Sequence, residues 1–471
     1  MRKLTILFLL FYSFTIAQNK QVLYGFLEIP QSLLLNPGGN VDYKWHFGIP
    51  VLSQIHASFG SSELSVNDLF ADDGRPFNDK LRDAIFNQSS ADFFAINQQL
   101  EIFSGGFAIG NNFEKNGYLS FGFYQETDVI IYFPRDLAIF AFEGNQSNIN
   151  RVFDLGDLNL RGELISVFHV GYNRKVNKKF TYGFRSKIYS SVFSFNSTNN
   201  RGSFITRPSQ DNFFDHIFDL DLELQTSGVL SLLEDENSDA IEDISILRQR
   251  LLFGGNLGLG FDVGFTYQFS DQLSVDGSFQ DIGFISHSKD VENYAVNGNF
   301  VFDGINPLFP DRTDGDSADD FVDGVVEDFD NLFELDTTST NFITLRPIKF
   351  NSSVNYAFGK KLGDECNCYN NDEGYLNALG VQLYGIARPV RPQFALTAYY
   401  YRRLFEGLRA KATYTIDSFS FSNLGLGISS HIGSFNFYII ADNLLAYQNL
   451  ARAQSVSLQF GFNLIFNHNE N

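Results

Sequence analysis

Residues 256–269 alternate without a break between apolar side chains and small or polar ones. Because successive side chains of a β-strand point to opposite faces, this stretch has one apolar face and one small or polar face. Typical soluble strands have about 5–6 residues, whereas a tilted membrane-spanning strand needs about 9–11. The pattern indicates either a membrane barrel with its apolar face toward lipid or a long strand of a soluble sandwich. The apolar positions are Leu257, Leu259, Phe261, Val263, Phe265, Tyr267 and Phe269.

Similar alternation recurs along the chain and predicts fourteen strands. Long polar connections and short turns follow one another up to residue 345, so the four long connections would share one end of an antiparallel barrel. Outer-membrane barrels have even strand numbers, long outside loops and short periplasmic turns, whereas a sandwich gives no reason for this order. The predicted strands are 43–60, 96–110, 118–132, 160–173, 180–195, 256–269, 274–286, 346–360, 379–388, 393–403, 408–418, 424–432, 435–443 and 455–467.

The predicted fold is therefore an all-β, transmembrane, antiparallel up-and-down β-barrel of about fourteen strands. Sixteen strands remain an alternative, because strand-like character at 217–225 would add one strand and its partner to the wall. Helical patterns at 80–86, 134–142 and 232–250 predict helices in the long extracellular loops. Both chain ends would then lie in the periplasm.

The N-terminal region is predicted to contain two pieces that precede the barrel. Residues 1–17 have a basic start, a short apolar stretch and small residues at the expected cleavage site, which is typical of a signal peptide. Residues 18–43 are interrupted by Pro30 and Pro37, so we expect an irregular periplasmic or lumenal segment that plugs the barrel. The barrel would occupy 44–471. Export and the strand pattern together predict the outer membrane of a Gram-negative cell.

The charge of the chain excludes one class of partner. Lys and Arg total 34 against 55 Asp and Glu, a formal net charge of −21, whereas nucleic acid requires a basic surface. The most acidic stretch lies in the fourth long connection and predicts either a solvated loop or a calcium site, since calcium prefers oxygen ligands. Its candidate ligands are Asp311, Asp314, Asp316, Asp319 and Asp320.

Other chemistry-bearing residues give few signals. Cys366 and Cys368 stand one residue apart in a predicted periplasmic turn, where a local disulfide is favoured over a metal site in an oxidising compartment. Two of the seven histidines stand beside serines, in Ser286-His287-Ser288 and Ser430-His431, but as mere sequence neighbours near strand ends. Nothing marks a nucleophile, so we expect no enzymatic activity and no cofactor.

The inner face of the predicted strands carries charged side chains. They either pair and brace the interior, or line a polar conduit or the contact surface of the N-terminal segment. These lumen candidates are Glu163, Arg185, Lys187, Asp262, Asp276, Arg409, Lys411, Asp417 and Asp442.

Three short motifs carry a resemblance to a known family. SLLLNPGG at 32–39, QDIGFI at 280–285 and ADNLL at 441–445 resemble, in this order, a Bacteroidota outer-membrane barrel family of unknown function, DUF5723. That family is related to FadL-like transporters and to the PorV/PorP-type barrels of type IX secretion. The resemblance implies a fourteen-stranded barrel, long third and fourth outside loops that form an apolar entry groove, and an N-terminal lumenal plug.

The same resemblance singles out a candidate plug motif. FadL-like proteins carry Asn-Pro-Ala near the plug, and Asn36, Pro37 and Gly38 stand in the corresponding place, with Gly instead of Ala. The implied function is passage of small hydrophobic compounds across the outer membrane, and the implied partners are outer-membrane lipid and a small hydrophobic ligand. The alternative is a non-transporting barrel that serves as a subunit or scaffold of an envelope or secretion complex, with an envelope protein as partner.

Overall fold

The computed structural model describes residues 20–111, 114–209, 213–229, 248–302, 333, 335–361, 375–405 and 407–466. The predicted signal peptide, the acidic candidate calcium ligands and both cysteines lie outside these residues, as does most of the predicted helix at 232–250.

Long strands dominate the described part of the chain. They are β1 (Trp45–Gly48), β2 (Ile55–Ser61), β3 (Phe93–Asn111), β4 (Glu114–Tyr132), β5 (Val152–Asp154), β6 (Leu160–Lys175), β7 (Phe180–Pro208), β8 (Phe214–Ser227), β9 (Asn256–Gln268), β10 (Leu273–His287), β11 (Val291–Phe302), β12 (Asp336–Thr338), β13 (Phe342–Leu345), β14 (Lys349–Lys361), β15 (Tyr375–Ile386), β16 (Gln393–Phe405), β17 (Leu408–Ile416), β18 (Asn423–Ile432), β19 (Phe435–Asp442) and β20 (Ser455–Phe466).

Helices are short in the same part of the chain. Three are α-helices: α1 (Val66–Phe70), α2 (Phe77–Asn87) and α3 (Arg135–Glu143). A 3-10 helix forms at Pro30–Leu34, and further short helical turns lie at Arg250–Gly254, Leu444–Gln448 and Leu450–Arg452. No described helix combines the length and the apolar character needed to cross a membrane.

Antiparallel pairing between neighbours closes a barrel of fourteen strands, which confirms the predicted number. The last strand, β20, pairs with both β1 and β2, and these two also share β3 as their other neighbour. They therefore act as one interrupted wall strand. The four long connections all leave one end of the barrel, called the loop end below. The other end, where β1 begins and β20 ends, is called the turn end.

The first wall strand is interrupted where the sequence predicted a continuous strand over 43–60. Pro50 has no backbone N–H, and Val51 adopts a positive φ of 66° that a β-branched residue seldom accepts. The interruption nevertheless stays attached to the wall, because Val51 N donates to Ile102 O at 2.9 Å and Phe462 N donates to Leu52 O at 2.9 Å.

The two faces of the wall differ as the alternation predicts. On β9, Leu259 is 58% exposed on the outer surface, whereas Asp262 is 0% exposed on the inner surface. The same contrast recurs on the other strands, with exposed Val354, Leu379 and Leu383 on the outside. A continuous apolar outer surface is unfavourable in water and matches the surface that a membrane barrel presents to lipid.

Four long connections build a separate layer at the loop end, called the cap below. The end of β7 continues beyond the wall and pairs with β5 and β8, while β8 pairs with β11 and β11 with β12. The strand predicted at 217–225 therefore exists within β8 but lies in the cap, so the sixteen-strand alternative is wrong. Its neighbours are other loop strands, which sequence patterning alone did not reveal.

The cap has its own apolar core. Ile85 of α2, Ile139 of α3 and Phe153 of β5 pack together beneath the cap strands. Phe204 of β7 and Leu220 of β8 complete this buried cluster. The third and fourth long connections thus form a packed layer with helices from the first and second.

Candidate functional site in the barrel interior

Residues 20–43, called the inner segment below, contact the inward-facing side chains of the wall. Val22, Leu23, Phe26 and Ile29 are all 0% exposed. They cluster with Tyr438 and Ile440 of β19, and Phe26 also meets the Tyr401 ring edge-on at 5.8 Å between centroids. The inner segment therefore covers a small apolar patch of the inner wall, formed by Tyr438 and Ile440 and called the apolar sector below. Its neighbours on the same strand, Asn436 and Asp442, are polar.

Glycines of β18 admit the beginning of the inner segment. A Cβ atom on Gly425 would lie 2.6 Å from Val22 Cγ2, and one on Gly427 would lie 2.7 Å from Val22 Cγ1. Both distances are too short for a real contact, so any side chain at either position would displace Val22 or the wall. Lys411 also donates to Tyr24 O from the neighbouring strand β17.

A second pair of glycines receives the Asn36-Pro37-Gly38 turn on another part of the wall. Gly183 of β7 and Gly264 of β9 are direct cross-strand partners. A Cβ atom on Gly183 would overlap Pro37 O, and one on Gly264 would overlap Asn36 Oδ1. The turn thus rests on bare backbone at the glycine pair Gly183/Gly264.

Hydrogen bonds fix the backbone of this turn. Asn173 Nδ2 donates to Pro37 O at 2.8 Å and to Gly39 O at 2.7 Å. Thr266 Oγ1 donates to Gly38 O at 2.9 Å. Within the turn, Gly38 N donates to Asn36 Oδ1 at 2.9 Å, so the Asn side chain holds the turn closed.

Only one of the three glycines on the inner face of β9 touches the inner segment. The space at Gly260 is filled by the Tyr189 ring, and the space at Gly258 is filled by Ile285 and the β10 backbone. The face of small and polar residues that the alternation predicts for β9 is therefore covered by wall residues at these two positions and by the turn at Gly264.

The opposite sector of the interior is ionic. Asp262 accepts from Arg185 Nη1 and pairs with Lys187 Nζ, each at 2.9 Å, and Lys187 Nζ reaches Asp281 Oδ1 at 2.6 Å. Asp281 Oδ2 lies 2.9 Å from Lys349 Nζ. Arg185 also donates to Leu33 O and, at 3.2 Å, to Leu34 O, which joins the network to the inner segment.

The network continues toward the loop end. Glu126 Oε1 lies 2.8 Å from Lys349 Nζ and 3.3 Å from Arg346 Nη2. Arg346 pairs with Glu163 as well. A separate bidentate pair joins Arg388 to Asp128 at 2.6 and 3.0 Å. Five carboxylates face five basic groups in this sector, so its formal charges balance and each buried ion has a partner.

The structure places the remaining lumen candidates around the apolar sector. Asp276 accepts from Ser353 Oγ at 2.6 Å and from Tyr24 Oη. Arg409 Nε lies 3.1 Å from Glu28 Oε1 of the inner segment. Asp417 accepts the backbone N–H groups of the β17–β18 turn, and Asp442 is buried beside Gly425. All nine predicted positions therefore carry side chains on the interior side of the wall.

Sequence reasoning missed six members of the ionic sector. Asp281 escaped because the register between β9 and β10 shifts at Phe279/Ile282, which turns both Gln280 and Asp281 inward and breaks strict alternation. Glu126 and Asp128 could have been found from alternation, because they are the next two inward-facing positions of β4 after Tyr124. The other three are Arg346, Lys349 and Arg388, which lie at strand ends where alternation is weak.

Other candidate chemistry has a structural setting. Ser227 Oγ lies 2.7 Å from His287 Nδ1 and Thr344 Oγ1 lies 2.9 Å from His287 Nε2, with the imidazole 0% exposed, so this contact ties the cap to the wall. Among the residues described, no three His, Cys, Asp or Glu side chains are grouped to hold a metal ion.

Comparison with known proteins identifies a family. The model of the "Family of unknown function (DUF5723)" matches residues 37–442, so the chain belongs to this family. No curated protein matches the chain.

Solved structures show only distant similarity. The Ralstonia pickettii toluene transporter TbuX has 10% identity and a TM-score of 0.39, covering 93% of this chain and 94% of its own. A Pseudomonas aeruginosa FadL homologue has 9% identity and a TM-score of 0.39 with the same coverage. The translocator domain of the autotransporter NalP from Neisseria meningitidis has 8% identity and a TM-score of 0.32, covering 91% of this chain and 90% of its own. At such low values these similarities identify no substrate.

Proposed function

We propose that this member of the DUF5723 family is an outer-membrane β-barrel through which small apolar compounds pass, with the inner segment as a movable plug. The observation that carries the proposal is the apolar sector of the interior, where Phe26 and Ile29 cover Tyr438 and Ile440. Movement of the inner segment would expose the apolar sector, which would bind an apolar compound, since burial of apolar surface is favourable. The loop end would face the outside and the turn end the periplasm.

The contacts of the inner segment suit a reversible plug. The turn at Asn36-Pro37-Gly38 is held by neutral hydrogen bonds and by shape at the glycine pair. When the segment leaves, Arg185 loses two carbonyl acceptors but keeps its ion pair with Asp262. The ionic sector would therefore stay neutral and intact, because its ion pairs join wall residues to one another. An ion pair that would be lost with the segment is Arg409–Glu28, outside that sector.

Uptake of N-phenyl-1-naphthylamine tests this function, because this apolar dye fluoresces only after it has crossed the outer leaflet. We expect a Gram-negative host that makes the protein to take up the dye several-fold faster than the same host without it. Ile440→Asn should slow uptake, since the amide must be desolvated by an apolar solute. Ile440→Leu keeps the apolar sector apolar and is the matched control, which should take up the dye like the natural protein. Equal uptake with and without the protein would refute passage of apolar compounds.

A second candidate function, a subunit or scaffold of an envelope complex, is supported by the outer face of the cap. Val152, Ile205, Ile217 and Val301 form one cross-strand row over four cap strands, with Val152 58% and Val301 48% exposed. Native purification should then yield a stoichiometric protein partner that Ile217→Asp removes and Glu223→Gln, on the same face, retains. A protein that purifies alone in both forms would exclude this role.

A further inference from the structure

An apolar groove runs along the outer surface of the wall between β1 and β3. It is open to the surroundings, and the groove together with the open space in front of it measures about 800 Å³. Its sides are Trp45, Phe47 and Phe107, which are 39%, 41% and 46% exposed. Its lining residues are Lys44, Trp45, His46, Phe47, Gly105, Gly106, Phe107, Ala108 and Phe121.

Small residues give the groove its depth. Gly105 faces the same side as its cross-strand partners Phe47 and Phe121. A Cβ atom there would lie 3.0 Å from Phe121 Cζ, so even a methyl group would press on that ring. Larger side chains would fill the space between the aromatic walls. The groove therefore depends on glycine at this position.

Lys44 supplies a positive charge at the turn end of the groove, and further basic side chains follow along the same end of the wall, although Asp42 is also exposed there and the whole chain has a net charge of −21. Lys44 lines the groove at this end, where its backbone N donates to Phe466 O at 2.8 Å. Arg174 on the same rim pairs through its backbone with Gly117, and it is followed by exposed Lys175, Lys178 and Lys179. Neither Lys44 nor Arg174 has an ion-pair partner in the described part of the chain.

We propose that this groove is a binding site for a membrane phospholipid, with one acyl chain along Trp45, Phe47 and Gly105 and the phosphate beside Lys44. The inference rests on the proposed membrane location, because the groove belongs to the surface that would face lipid. The aromatic walls and glycine floor fit a flexible hydrocarbon chain, and the basic rim fits an anionic headgroup. The turn end would lie in the inner leaflet, so the ligand comes from that leaflet.

Trp45 provides a direct test, because it is the single tryptophan of the chain and lines the groove. Quenching of its fluorescence by brominated phosphatidylglycerol and brominated phosphatidylcholine gives the relative affinity of the two lipids at this place. We expect a preference for phosphatidylglycerol of about fivefold for each basic side chain at the membrane surface. The Lys44→Gln variant should show a preference for phosphatidylglycerol about fivefold weaker than that of the natural protein. The Lys289→Gln variant, changed at the loop end, should keep the preference of the natural protein.

The glycine floor has its own matched pair of variants. Gly105→Leu should lower the quenching reached at saturating brominated lipid, because the new side chain occupies the groove. Gly277→Leu places the same side chain on the outer face of β10 and should leave quenching at Trp45 unchanged. Equal affinities for the two lipids in the natural protein, or unchanged quenching in Gly105→Leu, would overturn the lipid site while leaving the barrel in the membrane. Absence of quenching by either lipid would overturn the membrane location itself.

Discussion

At the scale of single residues, missing side chains decide where the inner segment rests. Gly183 and Gly264 are cross-strand partners, and both would overlap the Asn36–Pro37 backbone or side chain if they carried a Cβ atom. A β-sheet interior offers such close backbone approach only at glycine. The turn is therefore positioned by the lack of side chains at these two glycines and by the hydrogen bond that Thr266 donates to Gly38 O.

Gly264→Val should release the Asn36-Pro37-Gly38 turn, because two methyl groups would occupy the position of Asn36 Oδ1. We expect a several-fold higher ion conductance of the purified protein in a planar bilayer. Gly277→Val is the matched control, since its nearest neighbour is the exposed Phe265 ring, which can rotate into lipid. Heat-modifiable gel migration verifies that both variants fold. Equal conductance of the two folded variants would contradict this role of the glycine pair.

At the scale of elements, the wall could be predicted from sequence, whereas the pairing of the cap strands could not. Strands such as β9 and β17 alternate along their whole length, and a short turn joins each of them to the next strand in the chain. The partners of β8 come from two different long connections, so their pairing depends on contacts far apart in sequence. Alternation in β8 indicates that this segment is a strand, but not whether the strand pairs within the wall or within the cap.

The interior shows the same limit. Alternation placed Arg185, Lys187 and Asp262 on the inner face, yet their partner Asp281 follows a bulge that alternation cannot anticipate. The motif Asn36-Pro37-Gly38 was recognisable as a candidate plug contact, but its docking place on two glycines required three-dimensional information. Sequence therefore indicates which faces meet, while register shifts and long-range contacts decide the partners.

The cap should unfold separately from the wall if its core is the one described. Phe153 is 1% exposed and packs on Phe140 and Phe204 with ring centroids 5.4 and 6.0 Å apart. Phe153→Ala should cost the cap about 3–5 kcal/mol by removing buried surface and leaving a cavity. Limited proteolysis should then cut the cap rapidly while the wall keeps its heat-modifiable migration. Val152→Ala, at the exposed neighbour, should resist proteolysis like the natural protein, and equal cleavage of both variants would contradict a separate core.

At the scale of the whole molecule, a continuous wall, a cap and an inner segment are three parts with separate contacts. The wall has an apolar outside and a balanced ionic sector inside, and this sector needs neither the cap nor the inner segment to neutralise its charges. The inner segment instead covers the apolar sector at Tyr438 and Ile440. In the proposed function, this division would let the inner segment move while the strands of the wall stay paired and folded.

The conductance of a variant that lacks residues 22–40 tests the central claim most directly, namely that the inner segment closes the barrel. This deletion removes the contacts at β18 and at the glycine pair Gly183/Gly264 but leaves every wall strand in place. We predict a large, steady conductance for the folded variant in a planar bilayer and a low conductance for the natural protein under the same conditions. Equally low conductance of both folded proteins would contradict the account.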